Sequence, residues 1–151
     1  MSVLVYHATA GDFDHLDHDR SGLGTHFGTR EAALDRAAMR GHGGHKLHRH
    51  LKDGWRIKSY RLHVAHPLVA RDISGWDDLP NVEFELRRLG ILDNEAYKYC
   101  RWNLDGAAAW AFLRRKIEAS GYDCVTYRNE LEDVGSMSYI VWNDDLIGSD
   151  E

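Results

Sequence analysis

Residues 22–29 read Gly22-Leu23-Gly24-Thr25-His26-Phe27-Gly28-Thr29. Thr25–Gly28 reads as a short strand. Thr29 then stands where an N-cap belongs, ahead of a helix from Arg30 to about Arg40, and Glu31 sits in its first turn, where the helix dipole favours an acid. Ala33, Ala37 and Ala38 are small, so this helix can lie close against a sheet. Upstream, Val3–His7 is β-branched and aromatic and reads as an opening strand. Ala8–Gly24 reads as a loop rich in Asp, His and Gly, anchored by Phe13 and Leu16. Downstream, Gly41–Gly44 ends the helix and opens a basic loop.

Trp55–Leu68 is a strand candidate in which Ile57, Tyr60, Leu62 and Val64 roughly alternate with polar residues, with Pro67 at its end or edge. Asp78 and Pro80 start a helix that Leu86, Leu89 and Gly90 bring to a stop. A short helix follows from Asp93 to Tyr99. Asp105 then caps a helix over Gly106–Ala119 with Trp110, Leu113 and Ile117 on one face, and Gly121 ends it. Asp123–Tyr127 and Ser138–Trp142 read as strands flanking the loop Arg128–Met137. Strands and helices mix without strict βαβ alternation, so the expected class is α+β in a single domain, 1–151.

Composition sets the outer bounds. The chain has 151 residues, of which 43% are hydrophobic and 28% charged, and those values exclude wholesale disorder. No apolar run approaches the ~20 residues of a membrane helix, and the N-terminus lacks a basic-then-apolar signal pattern. The expectation is a protein of the cytoplasm, of the producing or a target cell, or one exported by a route that leaves no N-terminal signal, without a membrane partner. Cys100 and Cys124 match no zinc or redox spacing and read as partly buried thiols. The net charge of −5 argues against a dedicated nucleic-acid binder. That charge is segregated, however. Arg36–Arg61 holds eight Lys or Arg against one acid, and Glu118–Glu151 holds nine acids against one base. Ten histidines are also far more than usual.

Three stretches set polar groups at the ends of apolar strands, a common way to build a ligand cleft: Tyr6–Thr9, Gly22–Thr29 and Tyr122–Val141. In order and spacing they resemble the NAD-binding core of ADP-ribosyltransferases. The likeness is to the diphtheria-toxin and poly(ADP-ribose)-polymerase side, and most to the domains carried by phage and mobile-element proteins. The segment Tyr60–Asp72 fits the same domains. The resemblance implies a split, twisted β-sheet with flanking helices, with NAD as substrate. It implies transfer of ADP-ribose to a macromolecular acceptor, protein or nucleic acid, with release of nicotinamide. A toxin-type effector with an antitoxin or immunity partner is part of the same implication. The other reading is a catalytically silent relative that binds NAD, ADP-ribose or nucleic acid.

The resemblance also distributes roles. His7 would hold a ribose hydroxyl of NAD, the backbone at Ala8 the nicotinamide amide, and Thr9 would orient that segment. His26 stands where polymerase-like relatives carry tyrosine. An imidazole there can stack on nicotinamide with less area, and it titrates near neutrality. Phe27 and Thr29 complete the binding set, with Phe27 directed to the core. The family's glutamate position, just before the last strand, is Ser138, which carries no charge. Glu130 and then Glu132 are the expected replacements that stabilise the cationic ribose, Asp133 is a further competitor, and a solvated acidic loop is the plain alternative. His42, His45, His48 and His50 suggest a metal only weakly, because no Cys or carboxylate partner has the right spacing. With Arg40, Lys46, Arg49, Lys52 and Arg56 the same segment reads as a cationic rim or a solvated loop. The five tryptophans read mostly as core or edge packing.

Overall fold

A computed structural model describes residues 2–10, 22–41, 55–73, 75–131 and 133–149. Phe13, Leu16, His42, His45, His48, His50, Lys46, Arg49, Lys52 and Glu132 lie outside the described residues.

The opening strand β1 (Ser2–Ala10) pairs antiparallel along its whole length with β3 (Trp55–His63), from Ser2↔His63 to Ala10↔Trp55. Ala8 and Thr9, expected at the start of a loop, therefore belong to the ladder. A late strand β7 (Ile147–Ser149) joins the far side of β3, giving the order β1-β3-β7. A second sheet has the order β2-β6-β5-β4 and is built from β2 (Thr25–Phe27), β4 (Pro67–Ala70), β5 (Cys124–Arg128) and β6 (Met137–Val141). In it β4 and β5 run parallel, while the β2–β6 and β5–β6 pairs are antiparallel. Among the described residues four α-helices complete the α+β architecture: α1 (Arg30–Gly41), α2 (Leu79–Arg88), α3 (Asn94–Asn103) and α4 (Gly106–Ala119). No described helix is long and apolar enough to cross a membrane.

The strand expected over Trp55–Leu68 is in fact two, in different sheets. Between them, the Ala65 N–H donates to Asp123 Oδ2 at 2.7 Å and the Asp123 N–H donates to the His66 carbonyl at 3.0 Å. These bonds pull the chain off β3 and onto β5. Pro67 begins β4 on the sheet's outer edge, where its missing N–H costs no ladder bond. The helix α3 runs on to Asn103, past the expected Tyr99, with Asp93 capping it by accepting from the Ala96 N–H at 2.7 Å. Asp105 and Asp78 occupy N-cap positions without a side-chain cap bond, so the caps read from sequence hold there in position only.

Two apolar cores follow from this layering. Val5, Phe27, Leu62, Val64, Cys124 and Val141 fill the space between the sheets. Leu68, Val82, Leu86, Leu113, Ile117, Val125 and Ile140 join the second sheet to α2, α3 and α4. Each fully buried Leu or Ile contributes about 1.5–3 kcal/mol of transfer free energy. Both thiols are fully buried and free. Burial against Glu83 pushes Cys100 up to about 12, so it stays a thiol at neutral pH. Trp76 is core, but Trp102 is 79% exposed, contrary to the packing role read from sequence.

Candidate functional site

The two sheets touch at one bridge, where the Tyr6 N–H donates to the Gly28 carbonyl at 2.8 Å and the Gly28 N–H donates back to Tyr6 at 3.1 Å. There α1 packs on β1, with Ala33 against Ala8. The result is a narrow cleft. Tyr6 and Ala8 come from β1, and His26, Phe27 and Gly28 from the end of β2. Ala32, Ala33 and Arg36 come from α1, and Ser138 from β6. Its free space is about 10 Å³, room for about one water. Gly28 makes this tight approach possible, since a Cβ there would lie 2.9 Å from Ser138 Oγ and 3.2 Å from the Ala32 methyl.

All three stretches singled out in the sequence meet here, but not every expected side chain faces the cleft. His26 lines it. Its Nδ1 lies 3.4 Å from the Tyr127 hydroxyl, and the two rings meet edge-on, 6.5 Å apart. Arg36 Nη2 donates to the same hydroxyl at 3.3 Å, which orders a chain Arg36→Tyr127→His26. Tyr127 in turn stacks on Trp76. His7 is absent from the residues lining the cleft. Its ring tilts against Phe27 at 5.7 Å, and its Nδ1 lies 2.9 Å from the His26 carbonyl oxygen. A carbonyl only accepts, so Nδ1 is the donor in this contact. Thr9 pairs with Arg56 in the ladder, and Phe27, buried as expected, joins the inter-sheet core. Sequence reasoning missed Tyr127 and Arg36. The only available signal was the alternation that turns Val125 and Tyr127 to the same face of β5.

Ser138 is committed to structure. The Asn129 amide donates to Ser138 Oγ at 2.8 Å, and the hydroxyl faces Asn129 Oδ1 at 3.0 Å. Asn129 also donates to the Ser136 carbonyl and hydroxyl, and its backbone closes the β5–β6 loop through Ser136 and Gly135. Asn129 and Ser138 are both 2% exposed.

The acids of that loop part company. The Glu130 backbone N–H donates to Asp72 Oδ2 at 2.9 Å, and its side chain lines a different groove with Arg71, Asp72, Ile73, Asn81, Phe84 and Glu85. That groove is about 460 Å³ and lies beyond the carboxyl ends of β4 and β5. The structure does not bring Glu130 to His26. Asp133 turns the other way. Thr29 Oγ1 donates to Asp133 Oδ2 at 2.5 Å, and the Asp133 N–H donates to Asp35 Oδ2 at 2.9 Å. The same Thr29 oxygen accepts from the Ala32 N–H at 3.1 Å, so the helix cap expected at Thr29 is present and also holds the loop acid. Asp133 has φ +40°, a backbone region that a non-glycine residue enters only where its surroundings hold it.

No family model matches the chain, and no curated protein matches it. A solved crystal structure of an anti-CRISPR protein is similar at 12% identity and a TM-score of 0.39, over 98% of this chain and 93% of that one.

Proposed function

We propose that this domain binds NAD where its two sheets part and transfers ADP-ribose to a macromolecular acceptor, releasing nicotinamide. The observation that supports the reading is convergence. Tyr6 and Ala8, His26–Gly28 and Ser138 are far apart in sequence and line one cleft. In the reaction the C1′–N bond breaks and its electron pair leaves with nicotinamide. The ribose carbon becomes oxocarbenium-like, and an acceptor lone pair forms the new bond as the acceptor loses its proton. His26, oriented by Tyr127, would lie flat against nicotinamide. His7 would meet a ribose hydroxyl of NAD, as the resemblance implies. A ring enters the cleft only after the Arg36 side chain, which reaches across to Tyr127, moves aside. The acceptor, protein or nucleic acid, and any antitoxin partner are read from the resemblance alone.

A second reading is favoured by one observation: none of the residues lining the cleft is a carboxylate, and Ser138 is locked to Asn129. On that reading the domain binds NAD or ADP-ribose without turnover. Incubation with NAD, followed by measurement of free nicotinamide and of the melting temperature, separates the two. Turnover supports the transferase. Stabilisation by NAD or ADP-ribose without turnover supports the silent binder. No shift with either ligand removes the cleft assignment altogether.

A further inference from the structure

We infer that Asp133, not Glu130, supplies the carboxylate of this site, and that Asp35 is the positioning residue that holds it there. The inference rests on the NAD-binding reading and assigns within it the residue that the family position, Ser138, does not provide.

Three observations carry it. First, Asp133 is tied to the helix that walls the cleft. Its Oδ2 accepts from Thr29, the neighbour of the cleft residue Gly28, and its N–H is held by Asp35, one residue before the cleft residue Arg36. Glu130, three residues earlier in the same loop, is committed to the far groove. Second, the attachment is built at a cost. Asp35 is a carboxylate only 7% exposed, and Asp133 holds a left-handed backbone. A conformation of that kind costs of order 1–3 kcal/mol and persists where contacts over-determine it, often at a functional site. Third, the clamp consumes one carboxylate oxygen and leaves the other. Among the described residues Asp133 Oδ1 has no hydrogen-bond partner, so it is the oxygen available to a ligand.

The step asked of Asp133 is electrostatic. As the glycosidic electron pair departs with nicotinamide, positive charge grows on C1′ and the ring oxygen, and a fixed carboxylate stabilises it without gaining or losing a proton. Asp35 touches neither NAD nor the reacting atoms. It acts by taking the Asp133 N–H and so fixing the direction of the side chain.

The test compares Asp133→Asn, Glu130→Gln, Asp35→Asn and Asp35→Ala with the parent chain in nicotinamide release and in NAD affinity. Asparagine tolerates the left-handed backbone, so Asp133→Asn removes the charge and keeps the loop. A melting curve for each variant checks that it is folded. Asp133→Asn is expected to lose about 100-fold or more in kcat with KM little changed, the size seen when a transition-state charge partner is removed. Asp35→Asn, which keeps an acceptor for the Asp133 N–H, should retain most of the rate, whereas Asp35→Ala should fall about 10-fold in kcat. A larger loss from Glu130→Gln than from Asp133→Asn overturns the inference. So does an equal loss in both Asp35 variants. If the parent chain binds NAD without turnover, the transferase reading fails. The inference, a transition-state role, then falls with it, whereas a parent chain that turns over while Asp133→Asn matches it in kcat overturns the inference alone. If NAD does not bind at all, both fall.

Discussion

The cleft between the sheets and the groove beyond β4 and β5 are opposites. The cleft has room for one water, and the side chains around it are bonded to one another: Arg36 to Tyr127, Tyr127 to His26, Ser138 to Asn129. The groove is about 460 Å³, within the range of small-molecule pockets, and Phe84 on its wall is 54% exposed. Volume alone would select the groove. The proposed function rests instead on the cleft, where strand ends from three distant parts of the chain meet. The difference teaches that a cleft can be closed by its own side chains. Polar groups already holding one another in orientation mark a prepared site better than open space does.

The largest effect should come from the residue that closes the loop behind the cleft. Asn129→Ala removes the amide that holds Ser136 and Ser138, leaving the buried Ser138 hydroxyl short of its partner, while the partly exposed Ser136 hydroxyl keeps its bond to the Asp133 carbonyl. Such an orphan costs about 1–3 kcal/mol, and a domain of this size loses about 2–4 °C of melting temperature per kcal/mol. The expectation is a fall of at least about 5 °C, with Ser138→Ala falling less because Asn129 keeps its Ser136 bonds. If Asn129→Ala melts like the parent chain, the loop is not what holds the cleft together.

A smaller effect separates the two regions directly. Gly28→Ala places a methyl group 2.9 Å from Ser138 Oγ, and the backbone bridge to Tyr6 prevents relief by movement. Overpacking of this kind costs about 1–3 kcal/mol. Phe84→Ala, on the open wall of the groove, should stay within about 1 kcal/mol of the parent. Thermal melts of both variants give the comparison. An equal loss would mean that the groove is as tightly built as the cleft.

How far the sequence foretells this arrangement depends on how local each cause is. The helix over Gly106–Ala119 is legible because its apolar spacing and the flanking Asp105 and Gly121 all lie within one stretch, and the structure ends it where they do. The single long strand over Trp55–Leu68 is not legible as two, because the break is made by Asp123, 58 residues from Ala65. The three residues of β7 are too few to show a period. The acidic loop is the sharpest case. Glu130 and Asp133 look interchangeable in a row of polar residues. What turns them apart are Asp72 on one side and Thr29 and Asp35 on the other, contacts between residues 58 to 104 apart in the chain. Residue type and order therefore bring out the stretches that meet at the cleft, while the direction each acid takes depends on pairing that no local pattern encodes.

The smallest expected effect lies beneath the groove and depends on pH. Glu85 is fully buried, and Arg71 and Arg88 approach Oε1 at 3.0 and 2.7 Å. Burial alone would raise its carboxyl. Hydrogen bonds from the Arg88 side chain and the Arg71 backbone N–H, together with both charges, outweigh burial and hold it below the ordinary value of 4.5. The folded state thus keeps the charged form after the unfolded chain has taken up a proton. The stability Glu85 contributes is complete above pH 4.5 and is lost as pH falls through the lower folded value. Both arginines are about half exposed, so solvent screens the pair and the contribution is about 1 kcal/mol. Glu85→Gln should melt about 2–4 °C below the parent chain at neutral pH, and the gap should close on acidification. A gap that persists unchanged to pH 3 would mean that Glu85 supports the groove by shape and neutral hydrogen bonding rather than by charge.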